Sequence, residues 1–243
     1  NVSGGTTTAD FSLNGAIAEG AIKINGQDVG AIADNADMEA VLKAINDNVD
    51  NVTASAFNTV VAKNVGNGVT TAGQLILKTL EMGVGSGNGT TFNISASENM
   101  TELVKNINNE TGGVIQASVN GEGKLVLSND TGATIYVHDN SASGGAFDGG
   151  SGFANADADY GGFIKLDSDD GNPIRIEKGN LHASTPGDDD DLEQLGFREV
   201  TSETDDDAYT LTGKALTSGG TTGAWTQSDL KINGVDIYDA DIA

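Results

Sequence analysis

Apolar and polar residues alternate in two rhythms along this chain. From Ile22 to Val29 the rhythm is that of a strand: Ile22-Lys23-Ile24, then Asn25-Gly26, then Gln27-Asp28-Val29. Asn-Gly between alternating runs predicts a hairpin, because both residues tolerate the positive φ of a type I′ turn. From Asp37 the rhythm becomes helical. Val41, Leu42 and Ile45 share one face of a helix over about 38–49, with Asp37 placed to cap its first turn.

Both halves of this pattern recur. Met38, Lys43, Ile45 and Asn46 are matched at a constant offset by Met100, Lys105, Ile107 and Asn108, and Val41-Leu42 becomes Leu103-Val104. Ala54-Ser55 returns as Ala117-Ser118, one residue further along, so the similarity outlasts the helix. The hairpin half returns as Leu230-Lys231-Ile232-Asn233-Gly234-Val235-Asp236-Ile237. A hairpin-plus-helix unit of this size cannot bury its apolar stripe alone, so neighbouring segments must cover it. In the second copy, Asn99 and Glu102 have the spacing of a capping box, and Gly112 or Gly113 ends the helix.

Other segments fill in around these units. Val52 to Ala62, Gln74 to Leu80, Thr91 to Ile94 and Thr134 to Val137 read as strands, and Val114 to Val119 pairs with Lys124 to Leu127 across Asn120-Gly121-Glu122-Gly123. Asn64 to Gly73 reads as a turn. Phe163 to Leu166 and Ile174 to Ile176 read as a hairpin around Asp169-Asp170-Gly171-Asn172. Asp188 to Asp191 suit the first turn of a short helix from Leu192 that stops at Gly196, and Tyr209 to Leu216 and Ser228 to Ile237 supply late strands. The expectation is an α+β fold, mainly antiparallel strands with short helices, built from repeated hairpin–helix (ββα-β) units in two subdomains. Four regions follow: a flexible lead-in at 1–10, a two-unit region at 11–140, a Gly-, Ser- and Asp-rich loop or boundary at 141–162, and a strand-rich region at 163–243 ending in a truncated third unit.

Composition narrows the functional classes. The 243 residues carry 36 Asp and Glu against 12 Lys and Arg, a formal charge of −24, which disfavours nucleic acid and anionic membranes as partners. The 34 glycines, 2 prolines and 37% hydrophobic content fit many short strands joined by turns. With no cysteine there is no disulfide or thiolate site, which is compatible with a protein exported unfolded through a narrow channel and with a cytosolic one alike. No apolar run is long enough to span a bilayer, and Asn1-Val2-Ser3-Gly4-Gly5 is no signal peptide. A start without Met and a third unit that stops at Ala243 read as a fragment of a longer chain.

Candidate chemistry is sparse. His138 and His182 each stand alone, and two His flanking a Glu at zinc-protease spacing do not occur. Gly150-Ser151-Gly152-Phe153 fails as a nucleophile elbow at its last position. Gly83 to Gly89 lacks both the spacing and the lysine of a phosphate cradle. Asp167-Ser168-Asp169-Asp170-Gly171 resembles the start of a calcium loop, but its glycine comes one residue early and Lys178 stands where a bidentate Glu is required. A hairpin turn explains those residues, and solvated turns explain Asp188 to Asp191 and Asp205 to Asp207. Asn51-Val52-Thr53 and Asn93-Ile94-Ser95 are sequons expected by chance in a chain rich in Asn and Thr. No catalytic, cofactor-binding or metal-ligating residue is therefore expected.

The Ile-Asn pairs carry a family resemblance. Ile24-Asn25, Ile45-Asn46, Ile107-Asn108 and Ile232-Asn233, in their hairpin and helix settings, resemble the "flagellin IN" element of bacterial flagellins and some hook-associated proteins. Phe163 to Ile176 and Leu192 to Phe197 also resemble flagellin outer-region sequence. The resemblance implies a secreted, extracellular and non-catalytic part of the flagellar filament, serving motility. It implies partners in other flagellin subunits through terminal helices that this sequence lacks, so this piece alone is expected to be monomeric, with its ends leaving on one side. The alternatives are a hook-associated or cap protein, and an extracellular adhesin or glycan-binding module.

Overall fold

A computed structural model describes residues 15–34, 36–80, 89–140, 150–153, 158–182, 185–187, 189–200 and 210–213, with the pairs 231–232 and 235–236. The chain opens with β1 (Ile22–Ile24), β2 (Gln27–Asp28) and α1 (Met38–Asn48), followed by β3 (Val52–Val61), β4 (Val69–Thr70) and β5 (Leu75–Leu80). β6 (Thr90–Asn93) and β7 (Ser97–Glu98) precede α2 (Met100–Glu110), which leads to β8 (Gln116–Val119), β9 (Leu125–Asn129) and β10 (Thr134–Asp139). β11 (Ala158–Tyr160), β12 (Phe163–Ser168), β13 (Ile176–Lys178), β14 (Asn180–His182) and β15 (Thr185–Pro186) come next. The chain closes with α3 (Asp189–Gln194), β16 (Thr210–Thr212), β17 (Lys231–Ile232) and β18 (Val235–Asp236). All described pairings are antiparallel, in an α+β fold dominated by strands.

The local signals explain the first elements. Asn25 and Gly26 take φ of 51° and 77°, so Lys23 faces Asp28 and Ile24 faces Gln27 across a tight turn. Asp37 accepts a hydrogen bond from the Ala40 amide at 2.7 Å and starts α1; Asn99 does the same for Glu102 at 3.0 Å and starts α2. The capping box differs from its usual form, since the Glu102 carboxylate accepts from the Glu98 amide, one residue before the cap. Gly112 and Gly113 lie just past α2 at φ of 62° and 83°. β17 and β18 pair with Lys231 opposite Asp236, the same register as Lys23 opposite Asp28.

Two hydrophobic cores share one spine. The first gathers the β1 and α1 apolar residues with Ile164, Leu166, Ile174, Ile176, Leu192 and Leu195. The second gathers Leu75, Leu77, Leu103, Ile107, Leu125, Leu127, Ile135 and Val137. β3 belongs to both. Val52, Ala54 and Ala56 face the first core, and Val60 faces the second from the same side of the strand. Between them Asn58 is fully buried and donates to the carbonyls of Ala133 at 3.0 Å and Tyr160 at 2.7 Å. The first core thus combines the chain before Phe57 with the chain after Gly162. These cores group the chain differently from the expected regions 11–140 and 163–243.

Three further expectations are corrected. Phe163–Leu166 and Ile174–Ile176 do not form a hairpin: β12 pairs with β3 and β16, while β13 crosses to β1. The reason is a better partner. Asn25 offers its backbone N–H to the Arg175 carbonyl at 2.9 Å and its side-chain oxygen to the Arg175 amide at 2.8 Å. Asn64–Gly73 contains β4, paired with β7, and its glycines serve close packing as well as turning. At Gly68, φ is +74° and a Cβ would come within 2.0 Å of the Met100 nitrogen. The expected surface loop at 141–162 contains a buried stretch, with Gly150, Ser151, Gly152 and Phe153 inside the molecule. Ahead of α2, β6 pairs with β5 and β7 with β4.

Gly68→Ala is expected to lower unfolding stability in urea by about 1–3 kcal/mol, since the new methyl meets backbone at a left-handed position. A midpoint unchanged from the native chain contradicts that packing.

Candidate functional site: amide clamps and local carboxylate pairs

The residues singled out by sequence lie apart. His138 is half-buried in β10, and His182 is in β14, where only the backbone is described. Asp188 lies outside the described residues; Asp189 to Asp191 open α3. Gly83 to Asn88, most of the glycine run, and Asp205 to Asp207 also lie outside. Asn51 and Asn93, the sequon asparagines, are exposed.

The acidic loop is held by local hydrogen bonds. Asp169 accepts from the Thr53 hydroxyl at 2.8 Å, and Asp167 meets the Lys165 ammonium at 2.8 Å. Asp170 accepts from the Asn172 backbone N–H at 2.9 Å and its side-chain amide at 2.7 Å. These bonds, the backbone one foremost, hold the Asp170 carboxyl below its ordinary range. A depressed carboxyl favours the folded state above its unfolded pKa, and this contribution fades as pH falls through the folded value. Lys178, at the position a calcium-loop Glu would need, instead faces Glu199 at 3.7 Å. Among the described residues no group of three or more His, Asp or Glu converges on a metal position.

Ser151, in the failed nucleophile elbow, has a structural partner. Its hydroxyl donates to the Asp139 carboxylate, its backbone N–H also points there at 3.3 Å, and its oxygen accepts from the Phe153 amide at 3.2 Å. Ser151 is fully buried and Asp139 is 3% exposed, so no substrate reaches this pair from solvent in this conformation. The clasp anchors Phe153, whose ring lies 5.8 Å from that of Tyr160. Burial pushes the Tyr160 phenol above its ordinary pKa.

The most organised polar geometry is at the Ile-Asn pairs of the helices. Asn46 of α1 donates its side-chain N–H to the Ala54 carbonyl at 3.0 Å and accepts from the Ala54 N–H at 2.7 Å. Asn108 of α2 binds Ala117 in the same way, at 3.0 Å and 2.7 Å. The preceding Ile45 and Ile107 are fully buried, so each pair places its isoleucine in a core and its asparagine on a strand. Gln27 makes a looser version with Asp50, at 3.2 Å and 3.0 Å. These are two-point contacts between a side-chain amide and a peptide group. They fix the position of each helix against its strand.

The sequence shows Ile-Asn and Ala-Ser recurring together but not that Asn bonds Ala. The available signal is the recurrence itself, at spacings of eight and nine residues from Asn to Ala. Asn58 was missed too, though it is the polar interruption in an otherwise apolar series from Val52 through Ala54 and Ala56 to Val60.

Comparison with protein-family models gave no match, and comparison with curated proteins gave none either. Among the described residues no helix is long and apolar enough to cross a membrane.

Asn46→Ala and Asn108→Ala are each expected to cost about 1–3 kcal/mol, because each leaves a peptide N–H and C=O without their partner. Chemical denaturation measures this. A loss below about 0.5 kcal/mol at both positions shows the clamps to be incidental.

Proposed function

We propose that this chain is a surface-exposed, non-catalytic outer segment of a flagellin, with a structural role in the bacterial flagellar filament. The observation that carries the reading is the matched clamp at Ile45-Asn46 and Ile107-Asn108. It gives a physical reason for the element whose resemblance suggested flagellin: isoleucine fastens the helix to a core and asparagine fastens it to the next strand. We read the two helices as copies of one unit, and the Lys231–Asp236 hairpin as part of a third.

The other supports concern surface and chemistry. A charge of −24 keeps an outer filament surface solvated and discourages clumping of neighbouring cells' filaments. The carboxylates of the 167–170 loop are engaged by neighbouring groups, and the Ser151–Asp139 pair is sealed inside. In this reading, subunit contacts are made by terminal helices of the parent protein, and this segment faces outward, outside the cell.

Antibodies raised against the purified chain are the test, used for immunogold labelling of the source bacterium. Gold along the full filament is expected. Labelling confined to the filament tip or hook junction favours a hook-associated or cap protein. Labelling of the cell body alone favours an adhesin and overturns the proposal.

A further inference from the structure

The hydrogen-bond directions of the sheet assign a second job to one of the clamps. β8 is the last strand of the sheet ordered β16, β12, β3, β9, β8, so one of its edges has no strand beside it among the described residues. In an antiparallel pair, the residues bonded to the partner strand alternate with residues whose N–H and C=O point the other way. The Asn120 amide donates to the Lys124 carbonyl at 3.0 Å, which makes 120 and 124 a bonded pair. Counting back along the register, Ser118 opposite Val126 and Gln116 opposite Ser128 are bonded pairs too. Ala117 and Ile115 therefore present their peptide groups to the open edge.

Ala117 and the carbonyl of Ile115 are occupied, from α2 and from its C-cap residue Thr111. Asn108 takes the N–H and C=O of Ala117, at 2.7 Å and 3.0 Å. The Thr111 hydroxyl donates to the Ile115 carbonyl at 2.7 Å. The side-chain amide of Asn108 stands where the peptide group of a neighbouring strand would stand.

We propose that Asn108 and Thr111 are an edge guard, which keeps β8 from adding a strand contributed by a second copy of this chain. Exposed sheet edges pair readily with other chains, and proteins blunt them with charge, proline or bulges. β8 has none of these. Its sequence is Gln116-Ala117-Ser118-Val119, its register with β9 is unbroken, and Val119 and nearby Val114 are 42% and 51% exposed. On a chain of charge −24, an uncharged strand flanked by exposed valines is where like-charge repulsion protects least. A second copy fits because its own β8 offers the same uncharged edge, and antiparallel addition of two such edges is symmetric.

The clamp on α1 is the internal control. The Ala62 amide donates to the Leu125 carbonyl at 2.8 Å, so the even-numbered residues of β3 face β9, but β9 ends at Asn129, opposite Asn58. Asn46 fills the vacated position at Ala54. β3 keeps β12 along its other side and β9 from Asn58 onward, so loss of Asn46 opens only the short stretch before Asn58 and not a whole edge strand.

The test is sedimentation velocity on the 243-residue chain and its variants, with circular dichroism as the check of fold. Asn108→Ala is expected to move the mass from 24.7 kDa toward the dimer. Thr111→Val is expected to do so more weakly. Adding Ser118→Lys to Asn108→Ala is expected to restore the monomer, because charge on an edge opposes pairing. Asn46→Ala is expected to remain monomeric while losing stability. The guard is overturned if folded Asn108→Ala and Thr111→Val both stay monomeric. It is equally overturned if Asn46→Ala associates as strongly as Asn108→Ala, or if Ser118→Lys gives no rescue, since association then reports general loosening. None of these outcomes depends on the flagellin reading, which labelling on the cell decides separately.

Discussion

A peptide group on a side of a strand where no other strand lies still needs a hydrogen-bond partner. At Ala54 and at Ala117 that partner is an asparagine on the preceding helix. Much else follows from this one requirement. The asparagine must lie beside its strand, which fixes the roll of the helix, and the roll delivers Val41 and Ile45, or Leu103 and Ile107, into a core. Magnitudes separate the two roles. Burying each of these aliphatic side chains contributes roughly 1.5–3 kcal/mol, whereas a made hydrogen bond contributes about 0.5–1.5 kcal/mol net. Apolar contact therefore holds the helices down, and the amide decides where they sit.

The same logic accounts for the way two cores share one strand. β3 keeps a single face toward both, and Asn58 marks the boundary, its amide spent on the carbonyls of Ala133 and Tyr160. A polar residue there ties together two connections that approach β3 from later in the chain. An apolar residue of similar size would fill the space but remove the donor to Tyr160, while Ala133 would keep the Asn129 side-chain amide at 2.8 Å.

How much of this was legible in the sequence depended on range. Local signals read well: Asn25-Gly26 as a hairpin turn, Asp37 and Asn99 as helix caps, and the helical stripes as buried. Long-range pairing did not. Phe163 to Ile176 has the alternation and turn of a hairpin, yet β13 joins β1 because Asn25 claims Arg175, a choice between partners 150 residues apart. Glycine was misleading in the same way. Gly66, Gly68, Gly150 and Gly152 look like loop composition, but the first pair packs against the second, with the Gly68 amide donating to Gly150 at 3.0 Å. At the candidate site, the recurrence of Ile-Asn and Ala-Ser was plain in the sequence, while the bond between Asn and Ala needed coordinates.

Amide hydrogen exchange at Ala54 and Ala117 tests the central claim most directly. If helix asparagines satisfy these peptide groups, both N–H groups exchange slowly, within about tenfold of their neighbours bonded within the sheet, and each accelerates when its own asparagine is replaced by alanine. Exchange at either position as fast as at an unprotected strand edge, or unchanged by loss of its asparagine, contradicts the account.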